Sequence, residues 1–241
     1  MSEAGARGAR TEPSVARRLL RRAAHSFAHR LYARIAKAGD RVYFHDVSLE
    51  IAPSVFHPRL TLTSKVLAGY LETIELRGSQ LLDMGCGSGI LGCVAARQGA
   101  DVTAVDINPV AVECTLRNAR ANRLQDRIRV LHSDLFGGLP AETRYDHIVW
   151  NPPFYAKEPT DDASRAWNAG SRFEVIDRFA RQAAGRLRPE GNLIIILSTD
   201  TDVDAIVGGI ASYGFTPRLA VSRKRFFETL KIYEFTIRTG R

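Results

Sequence analysis

The run Asn151-Pro152-Pro153-Phe154 follows Ile148-Val149-Trp150, which reads as the end of a buried strand. Each proline lacks an N–H and fixes its own φ, so strand pairing stops there and the backbone stiffens. The carbonyls of Asn151 and Pro152 can then point into a site without internal partners, and Phe154 supplies a flat apolar wall. Two acceptors beside a flat ring suit a planar N–H group, such as an amide or an exocyclic amine. Such a nitrogen is a poor nucleophile because its lone pair is delocalised. Accepting both hydrogens helps localise that lone pair, and in-line positioning against a strong electrophile supplies the rest. Catalytic expectations therefore fall on Asn151, Pro152 and Phe154, with no metal and no covalent enzyme intermediate. A Pro-Pro turn without chemistry accounts for the prolines but not for the whole strand-end constellation.

A second constellation lies upstream. Leu81-Leu82-Asp83-Met84 runs straight into Gly85-Cys86-Gly87-Ser88-Gly89 and then into a helical pattern. Glycine allows positive φ and close approach of backbone to a ligand. Open α/β sheets bind ligands at the carboxyl ends of their strands, where this turn falls. About twenty residues later a strand ends in Asp106, the place where a carboxylate accepts from the two hydroxyls of an adenosine ribose. NAD-binding folds share this arrangement, so it points to a nucleoside and leaves its identity open; a helix N-cap is the other reading of Asp106. Asp134, after the next strand, is placed to accept from an adenine amino group or to serve as an ordinary loop residue. The polar stretch from Lys157 to Arg172 is expected to shape the substrate entrance, with Pro153, Tyr155, Arg165 and Trp167 as substrate contacts. Structural roles are expected for His57 and His132, since an amide or aniline-type nitrogen gives up its proton once its lone pair has reacted and needs no strong base.

The elements that position these residues follow from periodicity. Strand patterns fall at 81–84, 102–105, 128–131, 147–150 and 193–197, with helical patterns near 62–75, 90–98, 108–122, 172–187 and 201–213. Such alternation predicts a Rossmann-like, seven-stranded, mostly parallel α/β sheet covered by helices on both faces. Runs 216–221 and 230–236 are joined by a short basic segment and predict an antiparallel C-terminal hairpin. Arg41 to Ile51 reads as two short strands about His45-Asp46, with a further extended piece at Pro53–His57.

The chain has 241 residues and a net charge of +8. Residues 1–41 carry ten arginines or lysines against three acids, a net +7, which leaves +1 for the rest. The basic character therefore belongs to an N-terminal extension (residues 1–40, partly helical) and not to the body (41–241). Within the extension Leu20, Ala24, Phe27, Leu31 and Ile35 recur at helical spacing. An RNA-contacting arm, an organellar targeting segment and a solvated helix packed on the body all fit that pattern. Cys86, Cys93 and Cys114 form no CxxC pair and are odd in number, which fits a reducing, cytoplasmic setting and gives zinc no ligand spacing. No stretch approaches the roughly 20 apolar residues of a membrane span.

Taken together, Asp83 with Gly85, Gly87 and Gly89, then Asp106 and Asp134, resemble the class I S-adenosylmethionine (SAM)-dependent methyltransferase fold. The resemblance covers about residues 50–240 and implies that Gly85, Gly87 and Gly89 line the methionine part of SAM, that Asp106 holds the ribose, that Asp134 holds the adenine, and that Asp83 and Asn151 complete the cofactor site. Asn151-Pro152-Pro153-Phe154 is similar to the motif of methyltransferases acting on adenine or guanine amino groups and on the glutamine side chain of release factors, the HemK-like branch. It implies transfer of a methyl group to a planar nitrogen of an RNA or protein acceptor; a small metabolite acceptor or a SAM-binding module without turnover is the alternative. Ser222-Arg223-Lys224-Arg225-Phe226-Phe227-Glu228 resembles the hairpin turn of eukaryotic and archaeal members of that branch. Two departures stand out: Phe154 replaces the usual Tyr, and Phe56-His57-Pro58-Arg59-Leu60-Thr61 replaces the Pro-Ala-Glu-Asp-Thr segment.

Overall fold

The computed structural model describes residues 40–53, 55, 62–153, 155–160, 165, 167–225 and 228–237. The basic helix expected before residue 40, Phe154 and most of the extended piece at 53–57 lie outside them. Strands β1 (Asp40–Phe44) and β2 (Val47–Ile51) pair antiparallel as a hairpin, and helix α1 (Leu62–Leu71) follows. Strands and helices then alternate: β3 (Gln80–Met84), α2 (Ile90–Arg97), β4 (Asp101–Asp106), α3 (Pro109–Ala121), β5 (Ile128–His132) and β6 (Tyr145–Trp150). They continue through α4 (Glu174–Ala183), β7 (Leu187–Ser198), α5 (Val203–Ala211), β8 (Phe215–Lys224) and β9 (Thr229–Ile237).

The seven-stranded sheet has the order β5-β4-β3-β6-β7-β9-β8. Its first five strands are parallel, and β9 is antiparallel to both β7 and β8. The Rossmann-like sheet and the terminal hairpin are thus as the alternation predicts. Successive side chains on a strand face opposite ways, and the core follows that rule. Leu81, Ala104, Val149, Ile194 and Ile196 join one buried cluster with α1, α2 and α3. Leu82, Val105, Ile148, Leu193 and Ile195 join the other with α4 and α5. This two-sided burial is why the central strands read as near-continuous apolar runs.

Two boundaries differ from expectation. Strand β7 begins at Leu187, six residues early, because its polar start pairs with β6 across a register shift between Tyr145 and His147. Strand β8 extends to Lys224 and takes in Arg223, which read as connector. It is the outermost strand, so charged side chains there stay in water.

Helix α3 is started by Asn108, whose side chain accepts from Val110 N at 2.9 Å, with Pro109 in the first turn. It also carries a latch. The Asn118 amide accepts from Glu50 N (2.8 Å) and donates to Glu50 O (2.9 Å); Asn122 does the same with Ser48 N (3.0 Å) and O (2.7 Å). Two asparagines one helical turn apart thereby stand in for a neighbouring strand along β2. Asn118 also donates to Ser88 O at 2.9 Å, which joins the hairpin to the glycine turn.

Candidate active site

The chain runs outward from β3 to β4 and β5, then returns to β6 on the other side of β3. This reversal opens a crevice at the carboxyl ends of β3 and β6, the usual ligand position in such sheets. A cavity of about 230 Å³ occupies it. Gly85, Gly87, Asp106, Asp134, Asn151 and Pro153 all line it, so the residues singled out from separate strand ends share one wall.

The glycine turn is built from local bonds. Gly85, Gly87 and Gly89 all take positive φ, at 65°, 55° and 79°. The turn is pinned over β4 by Cys86 N donating to Val105 O at 2.9 Å. Asp106 accepts from Gly87 N and from Asn108 N, both at 2.9 Å. Burial raises its pKa, and these backbone N–H groups pull the other way.

Two expected lining residues sit elsewhere. Gly89 is absent from the cavity wall and faces α3: a Cβ there would lie 2.8 Å from Thr115 Cγ2. Its glycine serves helix packing as well as backbone conformation. Asp83 is fully buried beneath the turn and also off the wall, because its carboxylate turns to Gly92 N in the first turn of α2, at 2.9 Å. Burial, with Asp106 nearby, pushes its pKa up to about 7, against the bond from Gly92. Its second oxygen, Oδ1, has no hydrogen-bond partner among the described residues.

On the rim, Asp134 forms an ion pair with Arg178 at 2.6 Å, and both line the cavity. Arg178 was missed in the sequence because it sits on α4, 44 residues away. Arg165 lines the cavity, whereas Pro152, Tyr155 and Trp167 do not. Tyr155 and Trp167 instead fold the segment onto itself, with Tyr155 N donating to Trp167 O and Ala169 N to Tyr155 O, each at 2.9 Å. Cys86 also lines the wall, but burial pushes its thiol pKa up, which keeps it from acting as a nucleophile. His132 is engaged with Ile107 O at 2.8 Å.

Asn151 is held from the far side of the cleft. Its amide Nδ2 donates to Ser64 Oγ at 3.0 Å and Thr63 Oγ1 at 3.2 Å, both on α1. Its Oδ1 is buried with no partner among the described residues. The side chain therefore has an anchored donor end and an unsatisfied acceptor end at a cavity. Thr63 and Ser64 carry no motif of their own; their only sequence signal is a pair of hydroxyls opening a helical pattern. Chemically, the wall offers a nucleoside-sized cleft with an acceptor ready for an N–H.

The model of the family described as "methyltransferase small domain" matches residues 46–213. The chain belongs to this family. Ribosomal RNA small subunit methyltransferase C of Chromohalobacter salexigens is 35% identical over 153 residues, 62% of this chain and 41% of that protein. Methyltransferase HEMK2 of Homo sapiens is 32% identical over 173 residues, 67% of this chain and 80% of that protein. The T. thermophilus 16S rRNA N2 G1207 methyltransferase, solved in complex with AdoMet and guanosine, aligns with a TM-score of 0.62 at 25% identity, over 81% of this chain and 50% of that one. The chain thus spans about half the length of several relatives that it matches. Its methyltransferase small domain match runs from the β1–β2 turn through α5; the β8–β9 hairpin lies beyond it.

Proposed function

We propose that this protein is an enzyme that binds SAM in the cavity between β3 and β6 and methylates a planar nitrogen of a macromolecular acceptor, an RNA base or a protein glutamine. The observation that carries the reading is a single cavity walled by the glycine turn, by Asp106 and by Asn151 with Pro153. The residues fit the donor. The turn brings backbone close to it, and Asp106 presents a carboxylate at the carboxyl end of β4 for the ribose hydroxyls. Asp134, beside Arg178, takes the adenine end, and Asn151 borders the methionine end. When bound, SAM would supply a sulfonium-activated methyl for direct displacement by the acceptor nitrogen, whose proton would leave to water. Asn151 accepts an acceptor N–H through Oδ1, while Thr63 and Ser64 hold the amide the right way round. Pro153 stiffens the wall, and Arg165 and Trp167 lie on the segment that frames the entrance. Phe154 completes the motif in sequence, and the apolar contact with the acceptor plane is assigned to it on that ground alone.

The names of the relatives in C. salexigens and T. thermophilus favour RNA among acceptors, and HEMK2 resembles this chain over most of its own length. The three free, buried cysteines agree with a cytoplasmic setting, and no helix among the described residues is long and apolar enough to cross a membrane. Calorimetric titration with SAM and with NAD tests the donor. SAM is expected to bind the wild type and to bind Asp106→Ala at least tenfold more weakly; NAD binding without SAM binding would overturn the reading. Incubating labelled SAM with cell extract, followed by nuclease or protease, identifies the acceptor.

A further inference from the structure

Strands β3, β6 and β7 are parallel, and β9 runs antiparallel to β7, with Ser198 of β7 opposite Leu230 of β9. The β8–β9 turn therefore rises at the same edge of the sheet as the cavity. With strands about 4.8 Å apart, it stands two to three strands, roughly 10–15 Å, from Asn151 at the end of β6. Three consecutive cations stand at this tip of the hairpin: Arg223 and Lys224 end strand β8, and Arg225 begins the turn. Arg223 and Lys224 are exposed. None of the three forms an ion pair among the described residues, and Arg225 Nε is buried without a hydrogen-bond partner there. Arg97, Arg127, Arg178, Arg188 and Arg218 each face a carboxylate, whereas Arg120, Arg123 and Arg129 near the β5 side of the sheet, like the three at the tip, form no ion pair among the described residues.

The described residues on either side of the turn are bonded to one another and to the end of β7. Arg225 N donates to Glu228 O at 2.8 Å, Thr199 N to Thr229 O at 3.0 Å and Thr229 N to Thr199 Oγ1 at 2.8 Å. The one acid in the turn, Glu228, is occupied by Ser198 Oγ. Nor does the cluster reflect general basicity, since the chain after residue 41 has a net charge of only +1.

We infer that Arg223, Lys224 and Arg225 form a contact site for the phosphodiester backbone of a nucleic-acid acceptor, beside the base presented at Asn151. The inference rests on the methyl-transfer reading above and narrows its acceptor to RNA. A nucleic-acid strand carries a negative charge at every nucleotide whatever its sequence. A cation cluster at a set distance from the acceptor position therefore always meets one. A peptide meets it only if acids happen to lie at the right offset from its glutamine. The site lies outside residues 46–213, the span matched by the methyltransferase small domain.

The test measures binding of the full chain to a fluorescein-labelled, 12-nucleotide single-stranded RNA of mixed sequence between 50 and 300 mM salt. Arg223→Ala/Lys224→Ala/Arg225→Ala is compared with wild type and with Arg120→Ala/Arg123→Ala/Arg129→Ala, which removes as many charges at the opposite edge of the sheet. The turn variant is expected to bind more weakly, with a log K against log salt slope shallower by about two, since each phosphate no longer neutralised lowers it by about 0.7. The opposite-edge variant is expected to keep the wild-type slope. No RNA binding by wild type, an unchanged slope in the turn variant, or an equal change in the opposite-edge variant would overturn the inference. So would loss of binding to a labelled deca-glutamate peptide with RNA binding intact. SAM titration on the same proteins separates the two readings: absent SAM binding by wild type removes the methyl-transfer reading, whatever the RNA slopes do.

Discussion

At the scale of single residues, the anchored amide of Asn151 makes a sharp prediction. Thr63→Val with Ser64→Ala removes both acceptors for Nδ2 and lets the amide rotate. Misplacing a positioned group by about 1 Å costs on the order of 10²-fold in rate. Turnover on extract acceptors is therefore expected to fall about 10- to 100-fold, while the Kd for SAM changes by less than about threefold; equal losses in both would show that the pair merely supports the cleft. Asp83 makes a second prediction, in pH. Its pKa is raised from 3.8 to about 7 by burial, so the folded state disfavours the charged form. Below pH 4 the group is protonated in both states and contributes no penalty. The penalty grows as pH rises from about 4 towards 7, so this residue makes the protein less stable with rising pH across that window. Urea unfolding between pH 5 and 8 should show wild type losing stability relative to Asp83→Asn, and a pH-independent difference would rule the mechanism out.

At the scale of elements, the glycine turn and α3 are interlocked. Gly89→Ala places a Cβ 2.8 Å from Thr115 Cγ2 at a φ of 79°. A left-handed non-glycine residue costs about 1–2 kcal/mol and local overpacking about 1–3 kcal/mol. A loss of roughly 2–5 kcal/mol in urea unfolding is expected from these terms, with partial rescue by Thr115→Ser, which removes the nearest atom. The same scale shows what could be read in advance. The central strands and the helices between them were legible because both faces of the sheet are buried, so apolar runs mark strands and 3.6-residue stripes mark helices. The glycine turn, Asp106 and Asn151 were legible because each sits at a strand end, where topology alone brings it to the crevice. Asp83 and Gly89 were assigned to the wall because their place in the motif says nothing about which way a side chain faces. Thr63, Ser64, Arg178 and Asn118 were invisible because their partners lie 30 to 88 residues away, and no local pattern encodes such a meeting.

At the scale of the molecule, charge is unevenly placed along the chain: most of the +8 lies before residue 42. Deleting residues 1–39 is accordingly expected to leave SAM affinity within about twofold of wild type and to weaken RNA binding most at low salt, where phosphate contacts count most. Fluorescence anisotropy at 50 and 250 mM salt checks this; an RNA affinity unchanged at both would confine acceptor binding to the body. The asparagine latch on β2 has a different kind of consequence, in the life of the protein at high concentration. An open strand edge offers a row of unpaired amides that other chains can extend into aggregates. Along β2 that row is already taken, at Ser48 and Glu50, by side chains of the same molecule. Asn118→Leu with Asn122→Leu would keep the helix and open the edge, and the purified variant would be expected to self-associate on concentration, in light scattering, before it loses its fold.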